Sequence, residues 1–117
     1  VLRHEEASPF YVPKNDFRIP LGVFPKADYD EKKFRLQPDD LIVFCSDGIV
    51  EATNRHEEMW GFDNLENAVS KCRGLNASEA LDQILEEVES FIGEKDLYDD
   101  LTLLVIKIKN KSFLSKP

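Results

Sequence analysis

Two acidic positions stand at the ends of apolar runs, where reactive groups often gather. Asp47 follows Leu41-Ile42-Val43-Phe44-Cys45 after one residue, Ser46, and Asp99-Asp100 immediately precedes the run that begins at Leu101. Carboxylates that converge repel each other, and a hard divalent cation such as Mg²⁺ or Mn²⁺ is the usual physical remedy. Convergence depends on how the two runs are arranged. Neighbouring antiparallel strands are expected to hold the carboxylates at opposite ends, whereas parallel strands, or strands in facing sheets, would let them meet. Zinc is not favoured, because the chain has only His4 and His56 and no CxxC. The plainer reading is that Asp47-Gly48 is a common turn pair and Asp99-Asp100 a wet loop.

Other reactive side chains carry weaker arguments. Ser46 has no identifiable base to activate it as a nucleophile. Cys45 belongs to the apolar run and reads as an inert buried thiol, and Cys72 falls on the apolar stripe of a helix. His56 sits among charged loop residues, facing solvent. Trp60 reads as core packing in preference to a partner contact.

The elements that must position these groups can be read from hydrophobic periodicity. Phe10-Tyr11-Val12 is a short extended run closed by the turn formers Pro13 to Asp16. Lys33 to Leu36 alternates with period two, predicting a strand with one wet face. Pro38-Asp39-Asp40 makes a tight turn into Leu41–Cys45, a strand expected to be buried on both faces. Ile49 to Thr53 suits a helical turn, and Asn54 to Glu58 a solvated loop. Met59-Trp60-Gly61-Phe62 is a packing anchor. One helix starts near Asn64, carries Leu65, Ala68, Val69 and Cys72 inward, and stops at Gly74. A second is capped by Asn76 with Glu79 in the capping-box place. It buries Ala77, Leu81, Ile84, Leu85, Val88 and Ile92, keeps Glu79, Asp82, Glu86, Glu87 and Glu89 wet, and ends at Gly93. Leu101 to Lys109 is a final strand, its beginning buried on both faces and its end on one. Residues 110–117 form a frayed tail. Strands that alternate with amphipathic helices make a layered α and β protein.

Composition narrows the classes. The 117 residues carry 15 Lys plus Arg against 23 Asp plus Glu, a net charge of −8 that disfavours nucleic-acid binding. A hydrophobic fraction of 42% with 32% charged residues describes a globular chain and excludes disordered and fibrous classes. No apolar run reaches the roughly 18–20 residues of a membrane span, and Val-Leu-Arg-His-Glu-Glu is not a signal peptide. Two cysteines favour a reducing, cytoplasmic setting over a disulfide framework. The chain starts at Val1 and not Met, which raises the expectation of a piece of a longer protein.

Several segments, in order, resemble the SpoIIE/RsbU-like bacterial serine phosphatases of the PPM, or protein phosphatase 2C-like, superfamily. They are Pro20-Leu21-Gly22-Val23, Leu36-Gln37-Pro38-Asp39-Asp40-Leu41, Ser46-Asp47-Gly48-Ile49-Val50-Glu51-Ala52, Met59-Trp60-Gly61-Phe62-Asp63-Asn64-Leu65 and Asp99-Asp100-Leu101-Thr102-Leu103-Leu104-Val105. Each is weak alone, and the ordered set is specific. The resemblance implies an α+β fold, part of a four-layer α-β-β-α sandwich with its N-terminal portion missing, over residues 1–109. It implies a binuclear Mn²⁺ or Mg²⁺ centre at one end of the sandwich, with Asp47 and Asp99 as ligands and catalytic residues. Asp100 is implied as their neighbour, and Gly48 would allow a sharp turn beside the metal. The family's earlier Gly-Gly-Asp and Asp-Gly segment has no counterpart before Asp47, so the chain is expected to be a fragment of the enzyme.

By resemblance, the activity is hydrolysis of a phosphoserine or phosphothreonine monoester by a metal-activated water, without a phosphoenzyme. The substrate would be a phosphorylated regulator, such as an anti-sigma factor antagonist. An upstream sensor domain or membrane tether could belong to the intact chain. The alternative is a degenerate, non-catalytic phosphatase-like module that serves interaction or regulation. A receiver domain fits poorly, because no early acidic pair and later strand-end lysine occur in the required order.

Overall fold

A computed structural model describes residues 1–12, 20–29, 31–93 and 100–110. In chain order its elements are β1 (Leu41–Cys45), α1 (Asp47–Val50), α2 (Gly61–Ser70), α3 (Ala77–Ile92) and β2 (Leu103–Lys107). The strands form a two-stranded antiparallel sheet, with Leu41 opposite Lys107 and Cys45 opposite Leu103. Successive side chains alternate between faces. Leu41, Val43, Cys45, Leu103 and Val105 turn one face of the sheet toward the core built with the helices. The other face carries Ile42, Phe44, Leu104 and Ile106.

α3 follows the simplest rules. The Asn76 side chain accepts from the Glu79 backbone N–H at 2.8 Å, and the Glu79 carboxylate accepts from the Asn76 N–H at 3.4 Å, completing the capping box. Gly93 ends the helix at φ 67°, a conformation that favours a residue without Cβ. Ala80, Ile84, Val88 and Ile92, four residues apart, are the buried stripe. Against them lie Leu65, Ala68 and Val69 of α2, Cys72 just beyond it, and Trp60 just before it. Burial pushes the Cys72 thiol up to about 11, with the Glu87 charge adding to the effect.

The N-terminal residues are tied to β1 by backbone and charge. Leu2 and Leu41 exchange two backbone hydrogen bonds, of 2.8 and 2.9 Å. Asp40, fully buried, accepts the Gln37 N–H at 2.8 Å through one oxygen and faces the Arg3 guanidinium at 3.8 Å with the other. Arg3 also lies over the Phe10 ring at 5.2 Å and donates to the Arg35 carbonyl at 3.0 Å. A carboxylate taken out of water needs such a cation nearby.

The fold is a mixed α and β arrangement, as the pattern of strands and helices implied, with one small sheet among the described residues. Several expectations are corrected. Lys33–Leu36 is exposed and irregular, with no strand beside it in the described residues to supply a ladder. The two apolar strands are not buried on both faces: Phe44 is 56% and Leu104 53% exposed, because helices cover only the other face. α1 begins at Asp47, ahead of Ile49, and α2 begins at Gly61, three residues before Asn64. Glu87 is drawn partly inward to Lys71 at 2.8 Å. Trp60 is buried as an anchor, whereas Met59 and Phe62 are exposed. Residues 111–117 of the expected tail and the turn formers 13–16 lie outside the described residues.

Ile84 has no exposed surface, so Ile84→Ala should remove about 3 kcal/mol from the unfolding free energy measured by denaturant titration. Asn76→Ala should remove about 1 kcal/mol by deleting the α3 cap.

Candidate functional site

The antiparallel pairing decides where the acidic segments go, and it overturns the expectation of opposite ends. In an antiparallel pair, the exit of one strand lies beside the beginning of the other. Asp47, after β1, and Asp100, before β2, are therefore brought to the same end of the sheet. The ladder continues past the strands: Ser46 donates its backbone N–H to the Thr102 carbonyl at 2.9 Å.

Ser46 fastens the junction further. Its hydroxyl oxygen accepts the Thr102 N–H at 3.0 Å, and the hydroxyl donates to the Asp100 carbonyl at 3.5 Å. Gly48 closes it. A Cβ at this position would stand 2.4 Å from the Asp100 carbonyl oxygen, so the two backbones approach more closely than any side chain allows. Sequence reasoning weighed Ser46 only as a nucleophile; its role here is that of a strut. Its place at a strand exit, next to Asp-Gly, was the available signal.

Asp47 and Asp100 are both exposed, Asp47 in the first turn of α1. Asp99 lies outside the described residues. Among the described residues no group of three or more His, Cys, Asp or Glu side chains is placed to hold an ion. What the arrangement offers a cation is hard carboxylate oxygen on two segments that the backbone holds together, which suits Mn²⁺ or Mg²⁺ better than a soft metal. Cys45, half-buried, and Cys72, buried, form no disulfide.

Beside Asp47 opens an apolar cleft of about 430 Å³. Phe10, Tyr11, Phe34, Phe44, Phe62 and Leu65 line it, with Ser46, Asp47 and Glu66 contributing the polar margin. Its rings meet edge to face, Phe10 with Phe34 at 6.5 Å and Tyr11 with Phe62 at 6.0 Å. The Tyr11 phenol is pushed up to about 12, first by burial and then by the charge and hydrogen bond of Glu66, with Cys45 and Asp63 adding to it. The cleft is not legible in the sequence, because its lining comes from five separated stretches.

The family model described as Stage II sporulation protein E (SpoIIE) matches residues 1–109. A curated relative, Stage II sporulation protein E of Priestia megaterium, is 26% identical over 97 residues. That stretch covers 80% of this chain and 16% of the relative, so the chain spans about a sixth of the relative's length. No solved structure matches the chain. No helix among the described residues is long and apolar enough to cross a membrane.

The Ser46–Gly48 junction gives a graded prediction for unfolding by denaturant. Gly48→Ala should cost about 2 kcal/mol, because the added methyl must push the Asp100 backbone away. Ser46→Ala should cost about 1 kcal/mol, and Ser46→Thr, which keeps the hydroxyl, should recover most of it.

Proposed function

The chain belongs to the Stage II sporulation protein E family, and from that premise we propose that it forms the C-terminal part of a Mn²⁺- or Mg²⁺-dependent protein serine/threonine phosphatase domain. The observation that carries this reading is the meeting of the Asp47 and Asp100 segments at one end of the sheet. In the proposed domain the two strands join one sheet of a four-layer α-β-β-α sandwich. The substrate is a phosphoserine or phosphothreonine monoester on a phosphorylated regulatory protein.

Asp47 and Asp99 are the residues that would hold the cations, with Asp100 as their neighbour. Bound in a pair, such ions supply a nucleophile from water at neutral pH and neutralise phosphoryl charge during in-line displacement. The chain's own contribution is placement. Asp47, in the first turn of α1, is directed by the end of β1, and Ser46 and Gly48 hold the Asp100 backbone against it. Ser46 has its hydroxyl committed to Thr102 and Asp100, which speaks for a structural role and against a phosphoseryl intermediate. Ligands from other parts of the full-length protein complete the site.

In the full-length protein, Asp47→Ala and Asp99→Ala should each lower Mn²⁺-dependent hydrolysis of p-nitrophenyl phosphate at least about a thousandfold. Circular dichroism should stay unchanged. Normal turnover by either variant would remove that residue from the chemistry. A wild-type protein that binds its phosphorylated partner without turnover would instead be a non-catalytic interaction module.

A further inference from the structure

Two consecutive residues at the edge of the cleft address opposite neighbours. Leu2 exchanges backbone hydrogen bonds of 2.8 and 2.9 Å with Leu41 at the start of β1, in an antiparallel bridge. Val1 does the same with Phe10. Its nitrogen donates to the Phe10 carbonyl at 2.8 Å, and its carbonyl accepts the Phe10 N–H at 2.9 Å. Such alternation is how the backbone of a strand flanked on both sides is satisfied. β1 is prepared for the same neighbour. Ser46 turns its N–H to the Thr102 carbonyl on the β2 side, whereas Leu41 turns to Leu2. Val43, two residues beyond Leu41, therefore turns its N–H and C=O away from β2, to the edge that borders the cleft.

We infer that the cleft of about 430 Å³ seats a short β-strand, formed by the residues immediately before Val1 in the full-length protein and inserted between β1 and residues 10–12. The inference rests on the reading of this chain as the C-terminal part of a longer domain. Register decides the occupant. Continued antiparallel to β1, the first residue before Val1 falls opposite Val43, the third opposite Cys45 and the fourth opposite Ser46. On the other side the first two fall opposite Tyr11 and Val12. All five of those partners line the cleft. A substrate or a second copy would have to take the path along which the polypeptide itself enters Val1. Residues opposite each other share a face, so the first and third join Leu2, Val43 and Cys45 toward the helices and must be apolar. The strand runs away from Asp47, and the residues that lead into it arrive beside Ser46 and Asp47. One insertion thus closes the core and brings upstream chain to the acidic junction.

The test is hydrogen exchange of the full-length wild-type protein, read residue by residue from fragment masses. The Val43 amide should exchange at least about a hundredfold more slowly than an unstructured amide, without substrate and at any protein concentration. A second measurement fixes the register. Replacing the third residue before Val1 by cysteine should allow an oxidised cross-link to Cys45, detected by mass spectrometry. The Cα atoms of a hydrogen-bonded antiparallel pair lie about 5.5 Å apart, within reach of a disulfide. Cysteine at the second or fourth position should cross-link at least about tenfold less, since its side chain leaves by the opposite face. An unprotected Val43 overturns the inference. So does protection that appears only with a phosphoprotein substrate or with rising concentration, which would give the cleft to a partner or a second copy. Equal cross-linking from all three positions, or none from the third, also overturns it. Failure of the wild-type protein to hydrolyse p-nitrophenyl phosphate would defeat the phosphatase reading alone, because neither readout depends on turnover.

Discussion

The antiparallel pairing of β1 with β2 is the constraint on which the rest of the molecule depends. Five residue pairs in register, from Leu41–Lys107 to Cys45–Leu103, fix which residues lie beyond the ladder and beside each other. A slip of β2 by one residue would turn Val105 away from the helices and expose part of the core. It would also part Ser46 from Thr102 and move Gly48 off the Asp100 carbonyl. The same register therefore seats the hydrophobic core and aligns the acidic segments. The core and the proposed site rest on one alignment.

The helices hold that alignment from one side only. α3 packs along β2 through its four-spaced stripe of Ala80, Ile84, Val88 and Ile92. Arg3 and Asp40 secure the opposite flank of β1, where the N-terminal residues join the sheet through Leu2. That ion pair is strongly directional in its demands. Asp40 is buried completely, so removing Arg3 leaves a charge that the surroundings cannot solvate. On the other face Ile42 is buried, whereas Phe44, Leu104 and Ile106 stay exposed.

Much of this architecture is legible in the amino-acid order, for identifiable reasons. The bounds of α3 follow from local signals, since Asn76, Glu79 and Gly93 act within a turn of themselves. β1 is legible because five apolar residues follow a Pro-Asp-Asp turn. Asp47 and Asp99-Asp100 are legible as neighbours of apolar runs, whereas the end of the sheet at which the Asp47 and Asp100 segments lie follows only from the direction of strand pairing. Burial on both faces was overestimated because an apolar run reports what a strand tolerates, and not which layers actually cover it. Lys33–Leu36 has the alternation of a strand without a partner, which periodicity cannot reveal. The cleft was invisible because Phe10, Phe34, Phe44 and Phe62 acquire a common meaning only after folding.

The contact between Ser46 and Thr102 joins positions 56 apart in a chain of 117. During synthesis, at about 5–20 residues per second, the first strand waits several seconds for its mate to leave the ribosome. Through that interval Leu41–Cys45 is an unpaired, apolar template, the kind of segment that chaperones capture and that neighbouring polysomes can entangle. The helices can condense in the meantime because their contacts are short-range. The acidic junction is then the last part of the domain to mature, and a nascent protein interrupted before Thr102 would carry Asp47 without any geometry around it.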